Sequence, residues 1–83
     1  MMHIFYKRLM DSTEDLLYRV RIYDRELKKC DEILQMDEAY GQLRRAFDAI
    51  DARNESAMER VAAKLLHMRQ RLITMMEDLL HAA

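Results

Sequence analysis

Across 83 residues the chain has no proline and only one glycine, Gly41. Proline removes a backbone donor and clashes with the preceding helical turn, and glycine loses the most backbone entropy on ordering. A chain nearly free of both is built to run in long helices, and its length suits one domain.

Periodicity shows which faces those helices bury. Between Ile4 and Met36, the residues Leu9, Thr13, Leu16, Val20, Tyr23, Leu27, Cys30 and Leu34 alternate in steps of four and three, which aligns them on one stripe. The segment reads as one long helix or as a short helix running into a long one. Phe5, Leu17 and Ile33 widen the stripe beyond a two-stranded seam, which implies packing against more than one helix. Leu43, Phe47, Ile50, Asn54, Ala57 and Val61 resume the spacing, followed by Leu65, Met68, Leu72, Met75 and Leu79. Two successive steps of four around Val61 break the register, as a stutter in one helix or as a loop. Ala62, Leu66, Ile73, Met76 and Leu80 lie beside the last stripe and make it too broad for a solvated hairpin.

Turn chemistry places the breaks. Gly41 is the natural residue to end a helix in the left-handed conformation, so the chain is expected to reverse near 38–41. Ser56 with Glu59 matches a capping box, and Asn54 suits the end of the preceding turn. Ser12 with Asp15 has the same character, so the first eleven residues form either a separate arm or the start of an unbroken helix. Asp15 with Arg19, Asp24 with Lys28 and Lys28 with Glu32 are four apart, which supports exposed helical faces.

Apolar residues make up 51 % and charged residues 35 %, which argues against disorder. An elongated hairpin of this length would still leave much apolar surface exposed, so self-association or a partner is expected. Fourteen basic against fifteen acidic residues give a formal net charge of -1, which lends nucleic acid no support. Cys30 is the only cysteine, so no intrachain disulfide forms and a cytoplasmic, reducing location is expected. Lys7 and Arg8 are followed by Asp11, Glu14 and Asp15 where a signal peptide needs an apolar run, and no membrane span is readable.

Few residues carry recognisable chemistry. Tyr18 and Ile22 sit one turn apart and off the main stripe, as a second contact surface or an ordinary exposed pair. Met58, Met68, Met75 and Met76 suit either adaptable binding or core filling. Arg60, Lys64, His67 and Arg71 share a face and, with Arg69, make a basic run that reads as a phosphate or acidic-partner site or as a solvated face. His67, Glu77 and His81, with distant His3, do not have metal-site spacing. Cys30 lacks the companions of a nucleophile. Phosphate-loop, dinucleotide, zincin and calcium-loop motifs are absent.

The expected fold is all-α, an antiparallel helical hairpin or small three-helix unit assembling as a helical bundle. Residues 1–83 form one domain with helices at about 3–37, 42–53 and 56–81 and turns near 38–41 and 54–55. Its expected core is Leu9, Leu16, Val20, Tyr23, Leu27, Cys30, Leu34, Leu43, Phe47 and Ile50. The expected contact residues are Tyr18, Ile22, Val61, Leu65, Leu66, Met68, Leu72, Ile73, Met75, Met76, Leu79 and Leu80. They suit a noncatalytic protein-binding module, such as a small assembly factor, adaptor or secretion-type chaperone, without cofactor, that pairs with itself or another helical protein. The alternatives are a small nucleic-acid-associated regulator, or a helical enzyme that joins Arg44, Arg45, Arg53, Arg60 and Glu59 around an anion at a dimer interface.

Overall fold

The computed structural model describes the backbone of residues 2–81 and the side chains of residues 4–81. Three helices follow one another: α1 (Met2–Tyr23), α2 (Cys30–Ala49) and α3 (Glu55–His81), with no strand among the described residues. The chain is therefore all-α, and it takes the three-helix form. Arg21 meets Asp37, Glu14 meets Tyr40 and Asp11 meets Arg44, so α1 and α2 run antiparallel. α3 returns alongside α1, and Arg69 Nη1 donates to Ser12 Oγ at 2.6 Å across their seam. The result is an up-down-up rod of 45 × 19 × 15 Å.

One stripe from each helix fills the centre. α1 contributes Tyr6, Met10, Leu17 and Val20, α2 contributes Ile33, Met36, Tyr40 and Phe47, and α3 contributes Met58, Val61, Ala62, Leu65, Met68, Leu72 and Met75. Thr13 is buried among them, and its hydroxyl donates to the Leu9 carbonyl one turn back at 2.7 Å. Ser12, Asp15 and their neighbours lie within an unbroken α1.

The first reversal differs from the expectation of a helix over 3–37. It falls at residues 24–29, whereas Gly41 sits inside α2. Asp24 explains the break. Its buried carboxylate accepts the backbone N–H groups of Lys28 and Lys29, each at 2.9 Å, which satisfies donors that a continuous helix would have turned back to carbonyls. Leu27 takes φ 57 to complete the turn, and its amide donates to the Asp24 carbonyl at 3.2 Å. Lys28 pairs with Glu26 at 3.0 Å, not with Asp24 or Glu32. Asp15 and Arg19 do pair, at 3.0 Å.

This break cuts the long stripe and corrects the expected core. Val20 and Phe47 are buried, and Leu9, Leu16, Leu43 and Ile50 pack at the margin. Tyr23, Leu27 and Leu34 are exposed, and Cys30 is only half-buried, because α2 starts a new register that turns Ile33, Met36 and Tyr40 inward. The second reversal spans residues 50–54. Here Ile50 is extended, and Asn54 Oδ1 accepts the Ala57 amide at 3.2 Å. Asn54 thus caps α3 two residues before Ser56, and α2 ends at Ala49 instead of residue 53.

Candidate interaction surface

The broad apolar face of α3 divides in two. Val61, Leu65, Met68, Leu72 and Met75 are consumed by the chain's own core, so the expectation that they meet a partner gives way to an intramolecular role. The second stripe is left over: Leu66 and Leu80 are 56 % and 53 % exposed, and Ile73, Met76 and Leu79 are half-buried. A helix turns about 100° per residue, which carries Leu66, Ile73 and Leu80 to the side of α3 beside α1 and away from α2. On α1, Phe5, Leu9, Ser12, Leu16 and Tyr23 fall on the facing side by the same rotation. The Ser12–Arg69 hydrogen bond fixes the join. Phe5 is 61 % exposed and Tyr23 is also exposed, while Leu9 and Leu16 are half-buried. The α1–α3 seam therefore has α2 over one side and an open apolar strip along the other.

In the sequence Leu66, Ile73, Met76, Leu79 and Leu80 stand out as a second α3 stripe, while Leu9, Leu16 and Tyr23 read as core and Phe5 only as widening it. The signal was present: Phe5, Leu9, Ser12, Leu16, Arg19 and Tyr23 recur in steps of four and three, parallel to the buried Tyr6, Met10, Thr13, Leu17 and Val20 line.

Tyr18 and Ile22 lie elsewhere, on the outer side of α1, and are 63 % and 53 % exposed. Tyr18 lines a groove of about 710 Å³ between α1 and α2, with Asp11, Glu14, Asp15, Asp37, Arg21 and Arg44. Its charges are largely paired: Arg21 meets Asp37 at 2.7 Å, and Arg44 meets Glu14 at 2.8 Å and Asp11 at 3.7 Å. Beneath them the Tyr40 hydroxyl lies 2.9 Å from Glu14 Oε2 and 3.1 Å from the Met10 carbonyl, either of which accepts its single proton, and it accepts from Arg44 at 3.2 Å. Burial pushes the Tyr40 hydroxyl up to about 12 against an ordinary 10.0, with Arg44 opposing and Glu14 adding to the rise. The network closes the α1–α2 seam with satisfied polar groups, and the Tyr40, Arg44 spacing of one turn is its sequence trace.

On the other flank of α2, Met36, Ala39, Leu43, Ala46 and Met68 floor a groove of about 430 Å³ rimmed by Lys64, His67 and Arg71. The basic face read from the sequence thus borders an apolar trough. The residues expected to join around an anion at a dimer interface are spread over α2, the second reversal and the start of α3 within one chain. Arg44 is engaged by Glu14, Arg53 lies in the second reversal, and Arg60 and Glu59 begin the exposed side of α3. Among the described residues no group of three or more His, Cys, Asp or Glu is placed to hold a metal ion, and the side chain of His3 lies outside those described. No helix among the described residues is long and apolar enough to cross a membrane.

No protein-family model matches the sequence, and neither curated proteins nor solved structures give a match.

Proposed function

We propose that this chain is a noncatalytic helical protein-binding module that pairs with a second copy through the open side of the α1–α3 seam. The observation that carries the reading is an apolar strip from two helices along the margin of the core, exposed Phe5 and Tyr23 with half-buried Leu9 and Leu16 beside exposed Leu66 and Leu80 and half-buried Ile73. Exposed apolar strips of this extent mark interaction sites. The rod form, 45 × 19 × 15 Å, gives the chain 6100 Å² of exposed surface, roughly 900 Å² more than a compact monomer of this mass and enough to supply the about 800 Å² that a standard interface takes from each partner.

Pairing strip against strip would convert two three-helix rods into one bundle with a shared second core. Replacing Leu66 and Ile73 by glutamate places charges in that layer and, because neither residue belongs to the buried core, leaves each rod folded. In sedimentation velocity the L66E/I73E variant is expected to run as a helical monomer under conditions where the parent is a dimer. Y18A/I22A tests the other exposed apolar pair and is expected to keep the parent's mass. Loss of the dimer in Y18A/I22A with L66E/I73E unchanged would move the interface to the outer side of α1.

A further inference from the structure

Arg19, Arg21, Lys28 and Arg44 each meet a carboxylate of this chain, and Arg69 meets Ser12. Arg60, Lys64 and Arg71 meet none among the described residues, as is true, besides Arg69, of six other Lys and Arg side chains, so what sets Lys64 and Arg71 apart is where they stand. Lys64 and Arg71, with His67 between them, stand along one wall of the α2–α3 groove. The other wall is neutral, with Gln35 and Gln42, and the floor is apolar. On α2 the floor residues Met36, Ala39, Leu43 and Ala46 rise in steps of three, four and three over about 15 Å, the length of three helical turns.

A trough with an apolar floor and one cationic wall complements an amphipathic helix with acidic residues along one flank of its apolar face. We propose that the α2–α3 groove binds such an acidic amphipathic helix from a different protein. This deepens the reading as a protein-binding module by adding a second surface, separate from the α1–α3 strip. A polyanion fits less well. The floor offers no aromatic platform, and at the far end Glu32 and Asp78 stand beside Lys29 and Arg71, where they would repel successive phosphates.

The test uses a fluorescent synthetic peptide with leucines in steps of four, three and four flanked by glutamates, and its twin with lysine at every glutamate. The full chain is expected to bind the acidic peptide with an affinity that falls as salt rises, and to shift backbone NMR signals of α2 between residues 36 and 46. Changing Lys64→Glu together with Arg71→Glu is expected to weaken the acidic peptide roughly tenfold and to strengthen its lysine twin. Both positions are exposed, and circular dichroism of the variant should match the parent. Equal binding of the two peptides, absence of binding at about 100 µM, shifts confined to α1, or salt-dependent binding of duplex DNA in place of the peptide would each overturn the proposal. Running L66E/I73E in parallel separates the two surfaces. A monomer that still takes the acidic peptide upholds both assignments, a parent that is monomeric yet binds it refutes only the dimer, and a dimer that ignores it refutes only the groove.

Discussion

Asp24 makes the first reversal, and replacing it by alanine measures how much. Its two oxygens accept the amides of Lys28 and Lys29 at 2.9 Å each, and Lys29, the N-cap of α2, supplies no side-chain cap bond of its own. A hydrogen bond to a charged acceptor contributes about 1.5–3 kcal/mol, and hydration of the freed amides in the loop returns part of that, so Asp24→Ala should cost about 2–3 kcal/mol. Against the roughly 4–12 kcal/mol typical of a domain this size, that is a large fraction. At about 4–8 °C per kcal/mol the melting temperature should fall by about 10–20 °C. Urea unfolding followed by circular dichroism at 222 nm reads the change directly, with Lys28→Ala as the control. The exposed Lys28–Glu26 pair should contribute nothing measurable. Were residues 24–29 helical, alanine at position 24 would instead raise helicity and stability by a few tenths of a kcal/mol. A D24A variant as stable as the parent would refute the account of this turn.

Leu27→Gly should stabilise the chain by about 0.5–1 kcal/mol, because an exposed leucine is held at φ 57 where glycine sits without strain; a lower urea midpoint would contradict it. Gly41→Ala should stabilise by about 1 kcal/mol, since the added Cβ lies in ordinary contact 3.7 Å from Arg45 Nη1 within α2; no gain in melting temperature would mean that α2 is interrupted there. Tyr40 should keep its proton well past pH 10 in a titration at 295 nm, a late step that Tyr40→Phe removes. The folded value of Tyr40, about 12, lies above the unfolded 10.0, so the unfolded chain sheds that proton first and stability falls as pH rises from 10 towards 12. Tyr40→Phe should remove that component of the slope. Leu72→Ala, at a fully buried site, should cost about 2–5 kcal/mol, and a loss below 1 kcal/mol would contradict the packing of α3.

The class of fold was legible because helix formation and amphipathic spacing are local properties. The breaks were less so. Gly41 attracted the turn because glycine tolerates left-handed backbone, but Tyr40 and Phe47 anchor α2 on both sides of it, and that burial outweighs the about 1 kcal/mol cost of glycine in a helix. The actual turn uses an aspartate as acceptor for the amides of Lys28 and Lys29, just ahead of the next helix, a device that looks the same as a helical Asp24–Lys28 pair until the chain folds back. A weaker trace did exist: Arg21 near the end of α1 and Asp31 and Glu32 at the start of α2 have the signs favoured at helix ends. The division of α3 into a buried and a leftover stripe was partly legible in its excess breadth. Which stripe faced inward depended on how α1 and α2 pack, a tertiary property that spacing along one helix does not contain.

The central claim, that the α1–α3 strip joins two copies, meets its most direct test in absolute mass by multi-angle light scattering across a concentration series. The account predicts convergence on twice the 10.0 kDa chain mass as concentration rises. A helical species that stays at the single-chain mass at every concentration would contradict it.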